Sequence, residues 1–330
     1  MKLVTFIPKG KKTPTALGAV VDDEIINLSQ VLKKVSSLKK KPFAIKAAFQ
    51  GREMTSIKDL LCHGQGGLDL VQKLIRFVKG EREKFQKAKE KIFYKRSQVV
   101  LLPPVPQPDL FICIGRNYRS HITDLIPRGL VQDDEIPRVP TGFVKFSRTV
   151  VGHDAAVARP EGITSLDYEP EMCFVIKKRA FQVKADMAME YVAGLMLLND
   201  LSAREVQKID VDSGNRIHRG KNMPGFGPVG PYLVTLDEIG DPANLWLTCK
   251  VNGEERIRVN TDDLIFKIPE IIEHYSKHMP LESGDIFSTG APGGVAVGQP
   301  NAAELYLKPG DVVEVSLDKV GTLRTRIVAP

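Results

Sequence analysis

Short runs rich in apolar residues open the chain, at 2–7, 17–21 and 24–28, with a turn at Asp22-Asp23 between the last two. Runs of this length bounded by turn residues read as strands, so three short strands are expected there. The apolar spacing then lengthens to three or four residues through 43–49, 57–61 and 68–94. In the last segment Leu70, Val71, Leu74, Ile75, Phe77 and Val78 share one side with Lys and Glu opposite, which predicts a single solvated amphipathic helix. Pro103, Pro104, Pro106 and Pro108 then forbid helix and remove ladder donors, marking a linker over 101–108. Beyond it, short β-rich runs at 110–114, 143–146, 173–176, 191–198, 232–234, 245–251, 286–289, 312–317 and 322–328 are punctuated by Gly and Pro, with one clear helix at 268–278. The pattern predicts a mainly β domain with some α, a barrel or sandwich over 109–330, preceded by a small α+β domain over 1–100.

Composition narrows the class. At 330 residues and 42% hydrophobic content the chain can bury a sizeable core, which excludes disorder. The net charge of +7 averages two unlike parts: residues 1–100 hold 22 Lys and Arg against 9 Asp and Glu, a net +13, while 101–330 is net −6. A whole-chain pI near 9.1 is therefore not a nucleic-acid footprint, and the basic face of 68–94 reads as a wet helix face. Cys62, Cys113, Cys173 and Cys249 form no C-x-x-C pair, which fits a reducing cytoplasm and neither a cystine framework nor a zinc site. The start lacks an apolar h-region of roughly 7–15 residues, and the longest apolar stretch, near 192–198, is far below the roughly 18 residues of a membrane span.

Several residues can carry chemistry. In Asp167-Tyr168-Glu169-Pro170-Glu171, strand alternation puts Glu169 and Glu171 on one face, where two carboxylates repel unless a proton or cation lies between them. A third carboxylate, Asp200, closes the apolar strand at 193–198. Three such groups suit a hard cation, Mg²⁺, Mn²⁺ or Ca²⁺; a solvent-facing acidic strand explains the spacing equally well. His121 and Asp124, three apart in a helical turn, can form a dyad that activates water, or His121 can be a capping residue. Lys221, in the Gly- and Pro-rich loop 220–228, is either a carboxylate-binding cation or a solvated lysine, and the turn Thr289-Gly290-Ala291-Pro292-Gly293-Gly294 exposes backbone N–H groups that could meet an anion. Cys113 sits in an apolar run and reads as core, and His153, His218, His274 and His278 lack partner spacing. No G-x-S-x-G elbow, zinc helix, P-loop or dinucleotide fingerprint is present.

Taken in order, these segments resemble the fumarylacetoacetate hydrolase superfamily. The resemblance runs through Ile114-Gly115-Arg116-Asn117-Tyr118 to His121, Asp167 to Glu171, Asn199-Asp200, Arg204-Glu205, Gly220-Lys221-Asn222, Asn260-Thr261-Asp262-Asp263, Ser283-Gly284-Asp285, Thr289 to Val295 and Lys308-Pro309-Gly310-Asp311. It covers nearly all of 109–330 and implies a mixed β-sandwich roll, a homodimer, and a divalent metal, most simply Mg²⁺, on Glu169, Glu171 and Asp200. It further implies a C–C bond hydrolase of 1,3-dicarbonyl acids of the acylpyruvate or fumarylpyruvate kind, in aromatic catabolism, acting through a metal-bound enolate. The alternative within the family is an isomerase or an oxaloacetate-type decarboxylase on a 2-oxo acid at the same metal. His121 with Asp124 would be the water-activating dyad, Lys221 a catalytic cation, Arg116, Tyr118, Gly290 and Ala291 the substrate contacts, and 125–138 a lid carrying Arg128, Asp133, Asp134, Glu135 and Arg138. The chain departs from the family in three places: Asp124 stands where Glu is usual, Ala291 where Thr is frequent, and no Gln precedes Asn260-Thr261. Outside enzymes, the competing class is a binding protein whose basic N-terminal helices contact a nucleic acid or a partner.

Overall fold

A computed structural model describes residues 1–11, 15–38, 54–88, 90–132, 136–214 and 219–330. The helical period expected over 43–49, His218, and Asp133, Asp134 and Glu135 of the lid stretch lie outside the described residues.

The opening apolar-rich runs form the strands Lys2–Pro8, Ala16–Val21 and Glu24–Asn27. The third ends at Asn27 because its side chain accepts the Gln30 N–H at 3.1 Å and caps the helix Leu28–Ser36. The single helix expected over 68–94 is instead two, Gly64–Gly80 and Arg82–Gln86, followed by a strand, Phe93–Lys95. Gly80 is a weak helix residue, and the edge of Glu24–Asn27 offers unpaired backbone groups that Phe93–Lys95 takes up, with Ile25 opposite Tyr94.

Two open sheets form a sandwich, which decides between the barrel and sandwich alternatives. The larger, of 12 strands among the described residues, runs from Phe93–Lys95 through Lys2–Pro8, Gly227–Thr235, Val192–Asn199, Pro170–Ile176, Ile286–Ser288 and Phe111–Ile114 to the edge strand Gly142–Val144. The smaller, of five, contains Trp246–Val251, Glu254–Asn260, Val312–Leu317, Gly321–Val328 and Ala155–Ala158. Phe174, Leu195 and Leu197 of the first sheet pack with Leu247, Val313 and Leu323 of the second in one apolar core.

The division expected near residue 100 is one of charge and sequence character rather than of packing. Lys2 and Leu3 pair with Val234 and Leu233, so the N-terminal strands extend the large sheet. A second core joins Leu3, Leu17 and Leu70 to Val105, Phe111, Val175 and Val229. The proline-rich stretch is a buried strap: Val105 is fully buried, and Thr5 binds the Pro104 carbonyl at 2.8 Å and accepts the Leu102 N–H on its own carbonyl at 2.9 Å. No helix among the described residues is long and apolar enough to cross a membrane.

Candidate active site

The carboxylates meet because two strands end together. Pro170–Ile176 and Val192–Asn199 pair antiparallel with Pro170 opposite Asn199, and the Asp200 N–H continues the ladder to the Glu169 carbonyl at 2.8 Å. Glu169 immediately precedes its strand, Glu171 lies within it and Asp200 follows the neighbouring one. All three are at most 5% exposed, which removes the solvent-facing alternative.

Buried charges on this scale require partners, and three cations supply them. The Lys221 ammonium pairs with Glu169 and with Asp200 Oδ2 at 2.8 Å, and Lys145 Nζ reaches Asp200 Oδ1 at 2.7 Å. Arg204 Nη2 bridges Asp167 Oδ2 at 2.7 Å and Glu169 Oε1 at 2.5 Å. Burial pushes the Glu169 carboxyl upward, but Lys221 and Arg204 outweigh it and hold the group down to about 2. Burial works against the Lys221 ammonium, yet Asp200 and Glu169 keep its pKa above the ordinary lysine range. Lys221 is thus a buried ion-pairing residue and not a solvated loop lysine.

Glu171 differs from its neighbours. Its Oε2 is buried with no hydrogen-bond partner, and burial, reinforced by the charges of Asp200 and Glu169, pushes its carboxyl well above the usual range. Four carboxylates, those of Asp167, Glu169, Glu171 and Asp200, face three cations, those of Lys145, Lys221 and Arg204. A carboxylate oxygen from each of Glu171 and Asp200, together with the Cys113 sulfur, lies within 4.8 Å of the others. An orphaned buried oxygen and four carboxylates against three cations fit a divalent cation centred on Glu171, with Glu169 and Asp200 adjacent but engaged by Lys221 and Arg204 and by Lys145 and Lys221 respectively.

His121 stands in the helix Arg119–Leu125, 9% exposed, and burial lowers its pKa to about 4, so the imidazole is neutral near pH 7. Glu169, Arg204, Lys221 and Asp124 are the charges that act on it. The Asp124 carboxylate is occupied elsewhere: its Oδ2 accepts the Gly294 N–H at 2.7 Å and Gln299 Nε2 at 2.9 Å. His121 Nδ1 has no partner, and no hydrogen bond joins His121 to Asp124 among the described residues. The helical spacing does put both on one face, but the shorter Asp side chain is captured by the glycine turn. That turn requires glycine, since Gly294 has φ +93° and a Cβ there would approach Ile257 to 2.8 Å.

Residues 110–328 match the fumarylacetoacetate (FAA) hydrolase C-terminal family. The chain belongs to the fumarylacetoacetate hydrolase family. It is 33% identical over 314 residues to the oxaloacetate tautomerase YisK of Bacillus subtilis, covering 94% of this chain and 95% of that protein. It is 38% identical over 234 residues to the mitochondrial oxaloacetate tautomerase Fahd2a of Rattus norvegicus, covering 71% of each. The fold resembles that of the fumarylacetoacetate hydrolase of Exiguobacterium antarcticum, with a TM-score of 0.73, 25% identity and full coverage of both chains. It also resembles the fumarylpyruvate hydrolase of Pseudomonas aeruginosa solved with Mn²⁺ and pyruvate, with a TM-score of 0.60, 26% identity, and coverage of 69% of this chain and 91% of that one.

The remaining residues of the family resemblance fall around this cluster. Arg116 is exposed, in a left-handed conformation at φ +52°. Tyr118 is fully buried, its hydroxyl near Thr289 without a well-formed hydrogen bond. Gly290 has φ +94° and its N–H reaches Ser288 Oγ at 3.3 Å, while Ala291 beside it is 5% exposed. Of the lid stretch, Ile126–Arg128 forms a short turn of helix, and Arg128 Nε reaches the Gly298 carbonyl at 3.4 Å.

Three residues of the cluster were not singled out by the sequence pattern. Asp167 accepts the Ala296 and Val297 N–H groups at 2.9 and 3.0 Å besides binding Arg204, and so ties the carboxylate strand to the loop that follows the glycine turn. Arg204 and Asp167 lie inside matching motifs, which is the signal that could have found them. Lys145 had none: in Phe143-Val144-Lys145-Phe146 it looks like the outward residue of a strand, yet it is 1% exposed and also donates to the Lys221 carbonyl at 2.6 Å.

Proposed function

We propose that this chain is a divalent-metal-dependent tautomerase that interconverts the enol and keto forms of a short 2-oxo diacid, oxaloacetate above all. The observation that carries the reading is the occupation of Asp124 by the Gly294 N–H and Gln299, which leaves His121 a buried, neutral imidazole without a carboxylate partner. Water activation draws on a carboxylate behind the imidazole to stabilise the imidazolium that forms, whereas a proton shuttle between two sites of one substrate needs only a basic nitrogen and a return path. The named tautomerase relatives, one matched over 94% of the chain, support the same choice.

In this reading Glu171 and Asp200, with Glu169 beside them, hold the cation, which supplies Lewis-acid polarisation of the 2-oxo acid's oxygens when bound. His121 takes the proton from C3 and returns a proton to the 2-oxo oxygen, so the substrate isomerises with no atom gained or lost. Lys221 fixes the Glu169 and Asp200 carboxylates in place and adds positive charge near the substrate, and Arg116 with the Gly290-Ala291 turn receives the remote carboxylate. Burial of the cluster limits access of bulk water, which disfavours hydrolysis.

The deciding experiment mixes enol oxaloacetate with protein and Mg²⁺ and follows enol absorbance and released pyruvate together. Accelerated loss of enol without pyruvate is expected. Pyruvate release from oxaloacetate would establish a decarboxylase, and pyruvate release from acylpyruvates a C–C hydrolase. Asp124→Asn sharpens the result: the tautomerase should keep its rate within a few-fold, while a hydrolase that relies on the dyad should lose roughly 10²-fold or more.

A further inference from the structure

The Cys113 side chain is placed as no apolar strand residue needs to be. Cys113 lies in Phe111–Ile114, opposite Ser288, which in turn lies opposite Cys173 on the carboxylate strand. Its sulfur, a carboxylate oxygen of Glu171 and one of Asp200 lie within 4.8 Å of one another, and all three residues are buried. Glu171 Oε2 has no partner. One ion at ordinary Zn–S and Zn–O distances of roughly 2.3 and 2.1 Å could touch all three after small adjustments. Glu169, held by Lys221 and Arg204, is outside this group, and Asp200 within it exchanges an ammonium contact with Lys145 or Lys221 for the ion.

We infer that Cys113, Glu171 and Asp200 form a mixed sulfur–oxygen site through which the same pocket takes a thiophilic divalent cation, Zn²⁺, Co²⁺ or Cd²⁺, in competition with the hard ion. The inference rests on reading the pocket as a metal centre and adds a donor to it. On binding, the Cys113 S–H bond breaks, its proton passes to buffer, and the sulfur lone pair forms the bond to the metal; no oxidant or reductant takes part. Hard ions gain little from sulfur and keep to the carboxylates, whereas soft ions gain a strong donor.

The test uses metal-free, full-length protein with the exposed Cys62 changed to Ser, titrated anaerobically with Co²⁺ and followed in the near ultraviolet. A sulfur-to-cobalt charge-transfer band is expected. Cys113→Ser should abolish it, Cys173→Ser should retain it, and Cys113→Ser should weaken Zn²⁺ binding by about 10-fold or more while leaving Mg²⁺ binding unchanged. If Cys113→Ser does not fold, X-ray absorption of the zinc-loaded parent protein decides, with one sulfur at about 2.3 Å expected. Co²⁺ or Zn²⁺ bound by oxygen alone would overturn the inference and leave the metal centre intact. Failure of every divalent ion to bind would overturn both.

Discussion

Charge is handled in opposite ways in the two parts of this chain. In the N-terminal hundred residues the excess lies on wet surfaces: Lys73, Arg76 and Lys79 of the helix Gly64–Gly80 are exposed, and Lys79 meets Asp22 at 3.6 Å in an open pair. In the C-terminal part Lys145, Lys221 and Arg204 are drawn inside to face four carboxylates. An exposed pair is worth at most about 1 kcal/mol, while a buried charge costs several unless paired. The cluster is therefore where the fold tolerates an electrostatic cost, and such places are candidates for function rather than for stability. The larger count of basic residues in the first hundred positions says less about activity than three cations that packing has drawn inward, two of them buried.

The comparison can be broken in four ways. The largest effect is expected from His121→Ala, which should slow enol–keto interconversion by roughly 10²–10⁴-fold with metal content unchanged. Retention of the rate would remove His121 from the chemistry. Next, Lys221→Met should destabilise the fold by about 3–5 kcal/mol in urea denaturation, because Glu169 and Asp200 lose a shared buried partner. A cost under 1 kcal/mol would mean that the cluster relaxes or hydrates. Third, burial holds the His121 pKa at about 4 against an ordinary 6.5, so between those values the unfolded chain binds a proton that the folded one refuses. Stability is complete above pH 6.5 and falls as pH drops through the window, by roughly 2 kcal/mol from His121 between pH 7 and pH 5. His153, also lowered to about 4, first by burial and then by Arg96, acts in the same direction. The smallest effect belongs to the basic surface: Lys73→Ala with Lys79→Ala should change stability by no more than about 0.5 kcal/mol and leave turnover untouched.

Much of the architecture is legible along the chain because strand-forming composition and the turn residues that bound it are local. The strands at 2–8, 16–21, 312–317 and 321–328 follow their hydrophobic pattern closely. Phe93–Lys95 does not, since its strand character comes from an edge supplied by Glu24–Asn27. In the site, Glu171 and Asp200 stand out in order and chemistry, whereas Lys145 and Cys113 give no sign of inward function. The spacing of His121 and Asp124 correctly gives a shared helical face, yet the bond that decides the use of Asp124 comes from Gly294, 170 residues away.

The sequence by itself determined the periodic strands, the acidic segment and the family to which they belong, because those depend on residue type and short spacing. Only the tertiary structure decided which carboxylate is paired, which is orphaned, and which thiol stands beside it. Pairing depends on distance and on exclusion of water, and both are set where strands remote in the chain end side by side.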